Sequence, residues 1–325
     1  MPVAVEIPKE KWSGRVREVT LGAAAADGGT RGRAITVGGE GTLPFLGFDG
    51  HLPHPPALAL EVRDRKPDEW SPLLYEAWGE AMDDPGDWAR AAEAAGADLI
   101  VLTLSLTTAD GKPNSGAHAR AVVRSVLKAT ALPLAVIGPG QAEKDNELLV
   151  PVAEEAKGER LLIGNCEDKN YRTLVAAAMA NDHLVATKTP MDVNLAKQLV
   201  ILVHDMGMPL ERIVMDPTTG ALGYGIEYGY SVMERLRLAA LQGDSMTQQP
   251  MLVTPGEEAW KAKESKVGEG VPESWGDWKR RALNWETLTA SALVHAGANV
   301  IVLRHPASLA RVKKMVDALG MKDEG

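Results

Sequence analysis

The chain has 325 residues, 45% of them hydrophobic, with a formal net charge of -9. That length supports a large buried core, and the acidic balance argues against nucleic acid, whose binders present basic faces. The single cysteine, Cys166, allows no internal disulfide and cannot supply the roughly four thiolates that an iron–sulfur cluster usually takes.

The start is charged and has no apolar signal region, and the sequence holds no run of about 18 uncharged apolar residues. The expectation is a cytoplasmic chain with no membrane partner. Segments 15–21 and 33–37 flank a small-residue, glycine-containing stretch at 23–32, which predicts a β-hairpin. Below a barrel, such a hairpin would plug the bottom face. Residues 45–56 are too rich in Gly and Pro for regular structure and should lead the chain into its first barrel strand.

Eight short apolar runs then alternate with helical stretches, at 57–61, 98–103, 133–137, 160–164, 183–187, 212–216, 251–254 and 299–303. Runs apolar on both faces fit strands buried on both sides. Helical sequence after each one makes the strands parallel. Eight such units predict an α/β fold, a closed (β/α)8 TIM barrel over residues 56–325, behind an N-terminal extension at 1–55.

Among the helices, one should end at Gly96. Asp168 and Asp192 stand at N-cap positions, and the last helix, 308–319, stops at Gly320 before a charged tail. A long loop insertion at about 255–281 carries Trp260, Trp275 and Trp278 among many charges. It reads equally as an interface segment and as a loop packed on the barrel wall.

A barrel gathers its chemistry at the C-terminal strand ends. The candidate binding residues there are Thr103, Ser105, Gly138, Asn165, Thr187, Lys188, Thr189, Asp216, Thr218, Thr219 and Gly220. The set is rich in hydroxyls and amides. Glu167 and Asp216 are the only acids at the strand ends, against the two opposed carboxylates of a glycosidase, and Asp216 reads as a turn cap. Histidines are scattered, so no metal site is expected, and His305 reads as a helix cap. A Schiff-base role for Lys188 would need activation by burial, and no partner residue supports one. Gly138 and Gly140 would let a ligand approach the backbone closely. The reading is a platform for a large amide-rich ligand or another protein, with no catalytic residue.

Four strings carry a family resemblance: FDGHLPHPP at 48–56, LLIGNCE at 161–167, MDPTTGALGYGIEY at 215–228 and RRALNWE at 280–286. They resemble the small subunit of the corrinoid iron–sulfur protein, whose archaeal relative is the delta subunit of the acetyl-CoA decarbonylase/synthase complex. The resemblance implies a TIM barrel paired with a large subunit that carries both the iron–sulfur cluster and the corrinoid domain. It implies a cobalamin shared between that domain and this barrel's mouth. The heterodimer would take a methyl group from methyltetrahydrofolate methyltransferase and deliver it to acetyl-CoA synthase, in the reductive acetyl-CoA pathway, with a reductive activator as a further partner. The chain has no Asp-x-His-x-x-Gly motif, since His54 stands where Asp49 and His51 would require Gly, so no axial histidine is expected. The alternative is a pterin-dependent methyltransferase barrel, in which Asn165 and Asp216 would anchor the pterin.

Overall fold

A computed structural model describes residues 8–47 and 49–320; residues 1–7, Phe48 and the charged tail after Gly320 lie outside the described residues. Ahead of the barrel, β1 (Val19–Leu21) and β2 (Ile35–Val37) pair antiparallel, Val19 opposite Val37, as the expected hairpin. The barrel strands are β3 (Ala57–Arg63), β4 (Leu99–Thr103), β5 (Leu134–Ile137), β6 (Leu162–Cys166), β7 (Leu184–Lys188), β8 (Ile213–Asp216), β9 (Leu252–Val253) and β10 (Val300–Leu303). All pair parallel in one 8-stranded sheet, in the order β8-β7-β6-β5-β4-β3-β10-β9. A bridge from Met215 to Met251 joins β8 to the start of β9, with Met215 N donating to Pro250 O at 2.8 Å, and closes the ring.

Helices α1 (Pro72–Trp78), α2 (Pro85–Ala94), α3 (Gly116–Ala129), α4 (Ala142–Glu155), α5 (Tyr171–Ala180), α6 (Val193–Asp205), α7 (Ile226–Leu241), α8 (Pro255–Lys261), α9 (Lys263–Lys266), α10 (Trp278–His295) and α11 (Pro306–Ala318) surround the sheet. Gly96, at φ 91, follows α2 as a left-handed stop. Asp192 caps α6 by accepting from Asn194 N and Leu195 N. Asp168 does not cap α5. Asn170 holds the N-cap position of α5, and its amide ties Glu167 N to Asn165 O across the β6 turn.

Strand residues alternate between two environments. Outward side chains such as Leu60, Ile100, Val136 and Ile301 pack beneath the helices. Inward ones form a second cluster, and the first inward residues of their strands include Ala57, Leu99, Leu162, Leu184, Leu252 and Val300. Val19, Leu21 and Val37 of the hairpin join this cluster from below and plug the bottom, fully buried. Buried Arg31 fixes the hairpin turn by donating to Glu159 and to the Thr130 and Leu127 carbonyls at 2.7–2.8 Å. One step up, the inward set is Ala59, Val101, Ala135, Ala186, Val214 and Val302. Above that the same strands turn polar, and this change places the site.

The segment after β9 is not an irregular loop. Pro255 opens α8 directly, α9 follows, and α10 begins at Trp278. Its tryptophans are used internally. Trp260 is 2% exposed and stacks on His305, with centroids 6.0 Å apart. Trp278 Nε1 donates to Ser265 O at 2.8 Å, and Trp275 lies against the Arg281 guanidinium. Trp260 is buried on the barrel wall, while Trp275 and Trp278 are half-buried.

Because the plug is an apolar seal, Leu21→Ala should cost about 2–5 kcal/mol in urea unfolding. Leu288→Ala, at a side chain 54% exposed on α10, should stay within about 0.5 kcal/mol. Equal midpoints for the two variants would show that the hairpin adds nothing to barrel stability.

Candidate functional site

The third inward layer and the loops above it enclose a cavity of 530 Å³ at the C-terminal strand ends. Six of the expected residues line it: Thr103, Ser105, Gly138, Asn165, Lys188 and Asp216. A register shift in β6 between Ile163 and Cys166 re-aims Asn165 into the mouth, against strict alternation. Thr189 lines a neighbouring 270 Å³ cavity, whose walls include Pro190, Leu195 and Leu199.

The remaining expected residues do not line the 530 Å³ cavity. Thr187 falls on the outward phase of β7 between Ala186 and Lys188, and its buried hydroxyl donates to Val214 O at 3.3 Å. Thr218, at φ 62, is held by its own hydroxyl, which donates to Thr189 O at 2.6 Å. Thr219 Oγ1 accepts from Thr254 N at 2.8 Å. A Cβ at Gly220 would collide with Gly225 O, so that glycine serves the turn's self-packing. These hydroxyls brace loops. Gly138 is likewise approached by protein, since a Cβ there would collide with Asp145 Oδ1.

Nor is the mouth neutral. Glu61, Arg63, Arg65 and Glu257 also line it. In β3 the inward phase runs Ala57, Ala59, Glu61, Arg63, a period-2 signal that could have been read from the sequence. Arg65 arrives from the segment after β3 and Glu257 from α8, and neither leaves such a pattern.

The charges are paired. Arg304 Nε meets Glu61 Oε2 at 2.5 Å with both side chains buried, and Arg63 Nη1 meets Glu61 Oε1 at 3.1 Å. Burial opposes ionisation of Glu257, but Arg304, Lys261 and Lys188 outweigh it and bring its carboxyl down to about 2. Lys188 Nζ lies 3.9 Å from Asp216 Oδ2. The Asp216 carboxylate raises Lys188 above the ordinary lysine range, so the amine is held protonated and is unsuited to Schiff-base chemistry. Burial raises Asp216, whose Oδ1 accepts from Thr218 N at 2.9 Å as the expected turn cap.

His305 is a cap as well. Its Nδ1 accepts from Ala307 N at 3.0 Å, and burial lowers it to about 4, leaving the ring neutral. Burial pushes the Cys166 thiol up to about 12, which leaves it unreactive as a nucleophile. Among the described residues, no group of three or more His, Cys, Asp or Glu side chains is placed to hold a metal. No helix of the described residues is long and apolar enough to cross a membrane.

The fold and mouth define a TIM-barrel protein whose open end offers internally paired charges, amides and hydroxyls. The chain belongs to the CO dehydrogenase/acetyl-CoA synthase delta subunit family, whose sequence pattern it matches over residues 18–315. The acetyl-CoA decarbonylase/synthase complex subunit delta of Archaeoglobus fulgidus is 38% identical over 329 residues, covering 98% of this chain and 71% of the relative. Subunit delta 1 of Methanosarcina thermophila is 38% identical over 315 residues, covering 95% and 72%. Among solved structures, dihydropteroate synthase from Thermus thermophilus superposes with a TM-score of 0.54 at 14% identity, covering 82% of this chain and 94% of that one. At that identity the likeness is one of fold.

Asp145 on α4 gives the mouth a pH signature. Its Oδ1 accepts from Gly140 N at 3.0 Å, and burial raises its carboxyl to about 6. The folded state therefore binds this proton more tightly than the unfolded state, and the ionised form costs stability at neutral pH. Stability from this group should rise as pH falls from about 7 through 6 toward 4. Asp145→Asn should remove that rise and add about 1–2 kcal/mol at pH 7. Identical denaturation profiles for variant and parent across that window would contradict the assignment.

Proposed function

We propose that this chain is the small subunit of a heterodimeric corrinoid iron–sulfur methyl carrier, with its barrel mouth covering the cobalamin held by a larger partner. In this reading the pair accepts a methyl group from methyltetrahydrofolate methyltransferase and passes it to acetyl-CoA synthase, and a reductive activator restores it. The family membership supports the reading. The observation that carries it is where the exposed apolar side chains stand. Leu106, Leu195, Tyr224 and Tyr228, each 42–66% exposed, lie on the segments that follow β4, β7 and β8 at the mouth end. Apolar groups rimming a polar cavity mark a surface that another body covers.

The residues present fit an amide-rich corrin edge. Lys188, Arg63 and the Asn165 amide would donate to carbonyl oxygens; Asp216, Glu257 and the Asn165 carbonyl would accept from amide nitrogens. The corrinoid, when bound, supplies the methyl-transfer chemistry. This chain would orient it, exclude water from one face and hold charge steady beneath it. No acid–base pair is needed for that work, and the chain on its own is read as non-catalytic.

Co-expression with the large subunit should give a 1:1 complex by light scattering, with corrinoid retained on the pair. Lys188→Ala should weaken corrinoid retention several-fold, as expected for loss of a charge-assisted hydrogen bond, while the transfer rate per bound cobalt keeps its pH profile. Methyl transfer from methyltetrahydrofolate to free cobalamin by this chain alone would instead establish the pterin-dependent methyltransferase reading.

A further inference from the structure

A second cavity, of 340 Å³, adjoins the mouth between the segment after β3 and α8. Its walls carry five cationic side chains, Arg63, Arg65, Lys261, Lys266 and Arg304, against three carboxylates, Asp68, Glu69 and Glu257. Glu61 and Glu258, outside the lining, pair with Arg63, Arg304 and Lys261, so the donors left over are chiefly Lys266 and the Nε of Arg65.

Much of this donor capacity is unspent. Arg304 commits Nε to Glu61, and its guanidinium lies 4.6 Å from the Trp70 ring centroid, which fixes the plane of the fork. Arg63 gives Nη1 to Glu61 at 3.1 Å. Arg65 gives Nη1 to Asp68 at 2.8 Å, an acid that is 74% exposed, while its Nε is buried and has no hydrogen-bond partner. Lys261 is shared between Glu257 and Glu258. Lys266 makes no ion pair among the described residues. A buried guanidinium N–H without an acceptor is costly. Several forks around one small cavity suit a ligand with multiple anionic oxygens.

We propose that this side lobe is a binding site for a phosphate-bearing small molecule, with Arg65 as the central ligand and Lys266 and Arg63 beside it. A single carboxylate offers two oxygens, whereas a phosphoryl group offers three strong acceptors, closer to what three guanidinium groups and a free ammonium can engage. The lobe shares Arg63, Arg65 and Glu257 with the lining of the mouth, but Lys266 belongs to it alone, so binding there can be read with the mouth uncovered.

The test uses the full chain with inorganic probes at ionic strength held constant by NaCl. Titration calorimetry and phosphorus NMR line broadening should show pyrophosphate binding 1:1, more tightly than inorganic phosphate, with acetate weakest. Arg65→Gln should weaken pyrophosphate at least tenfold and Lys266→Gln several-fold. Lys266→Gln alters an exposed side chain, so it keeps the test decisive if Arg65→Gln fails to fold. Pyrophosphate binding that NaCl alone reproduces, that acetate matches, or that a folded Arg65→Gln or Lys266→Gln variant leaves unchanged would overturn the proposal.

Discussion

The mouth depends on one buried ion pair, Glu61 with Arg304, placed at the seam where β3 meets β10. These are the first and last strands of the barrel, so the pair fastens the ends of the chain's eight-unit repeat together at its working end. Its surroundings remove most of its freedom. Arg304 N donates to Glu286 at 2.6 Å, and Arg304 O accepts from Trp78 Nε1 at 2.8 Å. Arg63 and Glu257 then take their positions from the two members of the pair. Removing one partner from such a pair strands a buried charge at about 3–5 kcal/mol, although the intact pair contributes far less than that to stability. Its main effect is to specify where the other charges sit.

The fold was legible because a barrel strand needs so little to declare itself. Each apolar run between two helices told the same story eight times, and the observed strands fall within a residue or two of the expected ones. The site was legible only in part. Strand ends were located well enough to identify Asn165, Lys188 and Asp216. Which hydroxyls turn inward depends on phase, and one residue of phase decides it: Thr187 faces the helices because Lys188 faces the cavity. Thr218 and Thr219 stay out of the cavity lining for a different reason. Short polar side chains in a tight turn satisfy nearby backbone groups first. Asp145, Arg65 and Glu257 were invisible because they are brought in by helices and connections whose approach no local pattern encodes.

The mouth as it stands carries far more charge than the hydroxyl- and amide-rich platform expected. Its charges are numerous but mutually committed, from Arg63 through Glu61 to Arg304, and from Lys188 to Asp216. The paired part of such a surface resists electrostatic change when a neutral ligand arrives, since neither partner is left alone on desolvation. It can also present donors and acceptors side by side, which suits amide groups. That physical character is what a subunit needs when the reactive chemistry belongs to a cofactor held mainly by another chain.

The hairpin under the barrel has a further consequence. With Val19, Leu21 and Val37 sealing the lower end, the barrel among the described residues is closed below and its cavity opens on the side of the C-terminal strand ends. Water and solutes leave the upper cavity by the way they entered. Residence there is then a matter of traffic through one doorway, and a body laid across that doorway sets the timing of exchange without any part of the barrel having to move.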